Sequence, residues 1–141
     1  MTDVRLEELI EEFSFLDDWE ERYRYVIDLG RALPPLTTEE KLDVAKVRGC
    51  ASQVWLISNL DPDSGHIQFR GESDAAFVQG LLAILIRLYS DRPAHEILNL
   101  DAASAFQALG LGEALSPQRS NGLKAMALRI QDVARDAKAA G

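Results

Sequence analysis

From Ala75 to Tyr89 the chain reads AAFVQGLLAILIRLY, an apolar run interrupted by Gln79 and Arg87. A helix over this stretch is apolar around most of its circumference, so it belongs inside a core and the other elements must be laid around it. It is too short to cross a bilayer: about fifteen residues fall short of the roughly 20 that a span requires. With 141 residues, 47% of them hydrophobic and 27% charged, the chain has material for one domain, 1–141, with a proper core.

Amphipathic segments supply the covering. Leu6, Leu9, Ile10 and Phe13 follow helical spacing with Glu7, Glu8, Glu11 and Glu12 on the other side, which predicts a short surface helix. A second helix begins at Asp18, a capping residue with Glu21 three positions on, and buries Trp19, Tyr23, Val26 and Ile27 before Gly30 and Pro34-Pro35 end it. The period then changes. Val44 and Val47, the run Val54 to Ile57, and Ile67 and Phe69 alternating with Gln68 and Arg70 favour two or three strands. The turn DPDSG, Asp61 to Gly65, makes the last two an antiparallel hairpin.

Helix then resumes. Ser73 or Asp74 caps the apolar helix, Pro93 stands at the start of another, Asp101 to Leu109 forms a short one closed by Gly110, and Ser116-Pro117 opens the last. That final helix carries a stripe of Leu123, Met126, Ala127, Ile130, Val133 and Ala134, with Gly122 marking a close approach by another element. The fold class is α+β, a small antiparallel sheet of about three strands packed against several helices.

Twenty-three acidic residues against fifteen basic ones give a formal charge of −8, which repels a phosphate backbone and argues against nucleic acid as a partner. The N-terminal MTDVRLEELIEEF is acidic and amphipathic rather than a secretory signal, so the expected compartment is the cytoplasm, with no membrane involvement. One cysteine, Cys50, and two histidines, His66 and His95, allow no internal disulfide and leave too few soft ligands for a zinc or iron–sulfur site. Neither metal nor cofactor is expected on this chain.

Cys50 lies in the Gly-containing segment RGCAS at a strand end. A free cysteine is often no more than a small buried hydrophobe. Strand-end loops, however, carry function more often than strand centres, and Gly49 lets a substrate or another backbone come close. An ordinary thiol is only about 3% ionised at neutral pH, so reactivity needs a nearby positive charge, and Arg48 is the nearest in sequence. Without a second cysteine, disulfide exchange within the chain is closed; without an evident base, a cysteine hydrolase is poorly served, since His66 falls at the hairpin turn and His95 on a later helix. A lone thiolate can still accept a sulfane sulfur from another protein and hold it as a persulfide. A stand-alone thiol enzyme and an interaction module in which Cys50 merely packs are the competing readings.

Two further positions draw attention. Asp74 reads as a helix cap, and Arg119 sits in a helix first turn, where the dipole disfavours a cation and some carboxylate or anion is needed as a partner.

Four segments together resemble the SufE family of sulfur-acceptor proteins: DDWEERYRYVIDLGRALPPL at Asp17 to Leu36, VRGCASQVWL at Val47 to Leu56, GESDAAFVQGLLAIL at Gly71 to Leu85, and LSPQRSNGLKAM at Leu115 to Met126. The resemblance implies an α+β fold similar to the scaffold IscU, with Cys50 as the sulfur acceptor on a loop. It implies that a cysteine desulfurase of SufS or CsdA type is the partner, that pyridoxal phosphate belongs to that partner, and that SufBCD receives the sulfur. A CsdE-type acceptor feeding another recipient is the alternative within the family. This chain would stimulate the desulfurase without being an enzyme itself. Gly49, Ser52, Gln53, Val54 and Trp55 would shape the loop and pocket around Cys50, and Asp74 and Arg119 would face the partner or control the loop. Cys50 would be held inward in the free protein and swing out upon docking.

Overall fold

A helix with no substantial polar face has to be covered from several sides, and that requirement organises the molecule. The computed structural model describes residues 3–112 and 115–140; Met1 and Thr2 of the acidic N-terminal stretch lie outside them. Among the described residues, six α-helices and two strands follow one another: α1 (Val4–Ser14), α2 (Trp19–Arg31), β1 (Val54–Leu60), β2 (Ile67–Ser73), α3 (Ala76–Tyr89), α4 (Ala94–Asn99), α5 (Ala102–Ala108) and α6 (Pro117–Ala140). The apolar run forms α3, in which Phe77, Leu81, Leu82, Ile84, Leu85, Leu88 and Tyr89 are all buried. α2 packs along it, the hairpin β1–β2 lies on it through β2, and α1 and α6 cover further sides.

Most of the expected ends are made by the expected chemistry. Asp18 accepts a hydrogen bond from the Glu21 N–H at 2.9 Å, and Asp101 accepts one from the Ser104 N–H at 3.1 Å. The Glu21 carboxylate takes the N–H of Asp17 rather than that of Asp18, so the capping box is displaced by one residue. Gly110 ends the α5 segment at φ +76°, a conformation that a side chain would resist.

Three readings are corrected. Gly30 does not end its helix but lies within α2, buried where a Cβ would sit 2.7 Å from the Gly80 backbone nitrogen. A Cβ on Gly80 would overlap the Val26 carbonyl, so the two glycines let α2 and α3 cross with their backbones nearly in contact. The sheet has two strands, paired from Val54↔Ser73 to Leu60↔Ile67. The third expected strand is reduced to the Val47 N–H bonded to the Val54 carbonyl at 2.8 Å and an isolated bridge between Lys46 and Trp55. Val44 itself lies in a single 3-10 turn, Asp43–Ala45, where Arg129 donates to its carbonyl at 2.7 Å. Finally, neither Ser73 nor Asp74 caps α3: the position before the helix is Ala75, and its side chain makes no capping bond.

Two arginines near the core, Arg87 and Arg92, are paired with carboxylates. Arg87, the cation within α3, is held by Glu12 of α1, and Tyr25 donates to the same carboxylate. Arg92, nearly fully buried, bonds Asp3 with its second nitrogen at 2.8 Å. The Arg92 bond holds the Asp3 carboxyl below its ordinary range, and the Arg87 bond does the same for Glu12.

Two outcomes follow. Gly80→Ala forces the helices apart and lowers stability by about 2–3 kcal/mol, read as a fall in Tm of at least several degrees with the fold retained. Asp3 and Glu12 are stabilised in their charged form by folding, so their contribution is complete above the unfolded pKa of about 4 and is lost as the pH falls below it. Arg92→Met therefore costs about 2 kcal/mol at neutral pH and flattens the Tm profile between about pH 5 and 3.

Candidate functional site

The loop carrying Cys50 is tied at both ends and turns at a glycine between them. At its start, the Val47–Val54 bond ties it to the sheet. Gly49 then turns the chain at φ +93°, with room for no more than a light contact against Ala125 of α6. At its far end Gln53 and Asp74 clasp each other: the Gln53 N–H donates to the Asp74 carboxylate at 2.9 Å, and the Asp74 N–H donates back to the Gln53 carbonyl at 3.2 Å. Asp74 thus spends its carboxylate on the cysteine loop, which is why it is not available to cap α3.

Between these ties Cys50 rests on α6. Its thiol donates a weak hydrogen bond to the Gly122 carbonyl, Sγ to O 3.6 Å, and Sγ lies 3.7 Å from where a Cβ on Gly122 would be. Gly122 is the close approach that the sequence marks. Cys50 is half-buried, and burial pushes its thiol pKa up from the ordinary value. A thiolate could not donate to that carbonyl, so the resting position favours the protonated, unreactive form on two counts.

Beside the thiol is a cavity of about 150 Å3. Val78, Leu81, Leu123 and Met126 form its apolar walls, and Ser52, Gln118 and Arg119 supply its polar groups. Gln118 and Arg119 belong to the first turn of α6, so the positive end of a 24-residue helix adjoins the cavity. The Arg119 guanidinium carbon sits 4.6 Å from the Phe77 ring centroid and 5.7 Å from that of Tyr23. Among the described lining residues none is a histidine or a carboxylate. His66 pairs with Asp91 at 3.2 Å beyond the hairpin turn, and His95 is exposed on α4.

The structure brings together Cys50, Ser52 and Arg119 at the cavity, with Gly49, Gln53 and Asp74 shaping the loop. Val54 and Trp55 do not line the cavity. Val54 is buried at the start of β1, and Trp55 is half-buried beneath the ammonium groups of Lys41 and Lys46, 5.6 and 5.9 Å from its ring centroid. Arg48 is exposed on the loop and is not among the cavity residues. Sequence reading missed the aromatic seat of Arg119 and the wall residues Val78, Leu81 and Gln118, because only the folded chain joins α2, α3 and α6.

If the Gln53–Asp74 clasp holds the thiol inward, Asp74→Ala raises the rate of Cys50 alkylation by iodoacetamide about three- to tenfold at neutral pH, the value of one such bond. An unchanged rate would mean that the clasp does not restrain the loop.

Comparison with known proteins identifies the family. Residues 7–134 match the family model for SufE, described as an Fe-S metabolism associated domain. An uncharacterized SufE-like protein of Rhizobium etli is 52% identical over 132 residues, covering 92% of this chain and 89% of that one. A second uncharacterized SufE-like protein, from Rhizobium meliloti, is 47% identical over 131 residues, with 92% and 94% covered. The solution structure of a hypothetical protein from Thermus thermophilus superposes with a TM-score of 0.79 at 21% identity, covering 99% of each chain, and so shares the fold. By its matched domain and these relatives, the chain belongs to the SufE family and to Fe–S metabolism.

Proposed function

We propose that this protein accepts sulfur on Cys50 from a cysteine desulfurase and passes it on for iron–sulfur cluster assembly. The observation that carries the reading is the setting of the one thiol in a family member: a lone cysteine on a loop, folded over a small, largely apolar cavity with an arginine in its wall. A cysteine hydrolase would want a base at the thiol, and none of the described lining residues can serve. Sulfur acceptance needs none.

The chemistry is a displacement at sulfur. The Cys50 thiolate attacks the terminal sulfur of a persulfide on the partner, a new S–S bond forms on Cys50, and the partner's S–S bond breaks. The electron pair stays with the partner's cysteine sulfur, which takes up a proton, and no net oxidation or reduction occurs. Pyridoxal phosphate, which releases sulfur from free cysteine, is the partner's. Removing its product lets the desulfurase turn over faster, so the chain acts as an activator with no turnover of its own. A SufS-type desulfurase as donor, SufBCD as recipient and the cytoplasm as compartment complete the proposal; a lone free cysteine suits a reducing compartment.

In the resting position the thiol is raised in pKa by burial and hydrogen-bonded to Gly122. Docking that draws Cys50 off α6 relieves both effects, so reaction is confined to the partner's active site. The cavity suits the return step, since a persulfide folded back against α6 is shielded from reductants and oxidants.

Intact-mass measurement after incubation with a desulfurase and free cysteine tests this. The wild type gains the mass of one sulfur atom, reversibly on reduction, and speeds desulfurase turnover; Cys50→Ser does neither. Turnover stimulated equally by both versions, with no mass gain, would overturn the carrier reading.

A further inference from the structure

The segment that leads to Cys50 lies along α6 and runs against it. Cys50 meets Gly122, a Cβ on Gly49 would touch the Ala125 side chain at 3.4 Å, and the carbonyls of Lys46 and Val44 meet Arg129. Gly122, Ala125 and Arg129 are spaced three and four residues apart, so they share one face of the helix over a rise of about 10 Å. At the far end of this track the Arg129 guanidinium donates to the Lys46 carbonyl at 3.2 Å and to the Val44 carbonyl at 2.7 Å. The Val44 carbonyl stands at the end of the 3-10 turn Asp43–Ala45, and the Val47 N–H that would continue the turn onto it goes to the Val54 carbonyl instead. Arg129 supplies the missing donor. Two nitrogens of one planar group fix the segment along α6 as a single ammonium could not.

We propose that Arg129 is a positioning residue for Cys50: its grip on Val44 and Lys46 sets the register of the segment on α6, so that the thiol returns to Gly122 and only residues 48–52 move when it leaves. The proposal rests on the carrier reading above. The Val47–Val54 bond and the Gln53–Asp74 clasp close off the moving part. Cys50 is three residues from Val47, so the thiol travels on a backbone tether of at most about 10 Å, and a sulfur donor has to bring its persulfide within that range. Without the arginine, the Val47–Val54 bond alone holds the near end of the loop, and its opening frees the chain back to the 3-10 turn. The charged groups of the loop and the cavity are Arg48, Asp74 and Arg119; Arg129 is not among the lining residues and reaches Cys50 through the backbone. The sign of its effect is therefore diagnostic. Loss of a positive charge raises a thiol midpoint, whereas release of the thiol from a half-buried seat lowers it.

The test follows alkylation of Cys50 by iodoacetamide across pH, with no partner present, together with hydrogen exchange at the Val47 amide. Arg129→Met keeps an apolar stem and removes both donors. It lowers the thiol midpoint and speeds alkylation below that midpoint about three- to tenfold, with faster exchange at Val47. Arg129→Lys, with one ammonium for two carbonyls, falls between, and it keeps the test open if Arg129→Met does not fold. An unmoved midpoint, or Val47 exchange as in the wild type, would make Arg129 a stabilising contact only, whatever the change in Tm, and would overturn the proposal. A raised midpoint would mean that Arg129 acts by its charge, and would overturn it as well. A wild type that never gains sulfur from a desulfurase and free cysteine overturns the carrier reading, while the Arg129→Met profile still decides whether this residue seats the thiol.

Discussion

Burial of α3 is the constraint on which the other elements depend. A helix that is apolar nearly all round has to be enclosed, and α2, the hairpin, α1 and α6 do so from different sides. Enclosure at this density needs thin places. Gly30 and Gly80 bring α2 and α3 to backbone contact, and Gly71 lets β2 settle on the Leu82 side chain, 2.8 Å from where a Cβ would lie. The candidate site inherits this packing. α3 supplies Val78 and Leu81 to the wall of the Cys50 cavity and the Phe77 ring beneath Arg119, and α6, held against α3, supplies the helix end and Gly122.

The site is a compromise between shelter and reactivity. Apolar surroundings protect a sulfur–sulfur bond but raise the pKa of the thiol that must form it. A rigid loop could not meet both demands. The Cys50 loop is held by a few separable contacts: the Val47–Val54 bond, one clasp at Asp74 and one thiol bond to Gly122. Each is worth little alone, which suits a segment that must leave α6 and return. The cavity behind it is preformed and fixed by core residues.

Sequence patterns carried the local features well. The enclosed helix, the Asp18 and Asp101 caps, the hairpin around Asp61 to Gly65 and the crowding at Gly122 all follow from residue types and short spacings. What escaped is non-local. Val44 has the β-branched side chain of a strand, yet it is 80% exposed in a 3-10 turn whose carbonyl belongs to Arg129, far along the chain. Gly30 reads as a helix end because nothing nearby reveals the Gly80 opposite it. Asp74 reads as a cap because its bond to Gln53 exists only once the hairpin is closed. The oddity of a cation in the first turn of α6 was legible at Arg119; that rings from α2 and α3 lie against it was not.

The most direct test of the account asks whether the Cys50 thiol is parked against α6 in the free protein. A Cβ on Gly122 would stand 3.9 Å from the Cys50 Cβ, within the range that a disulfide bridges. Gly122→Cys should therefore form an intramolecular disulfide with Cys50 under mild oxidation, seen as a monomer lighter by two hydrogens and without free thiols. Two free thiols, or dimers linked between chains, would contradict the docked loop and with it the sheltered site.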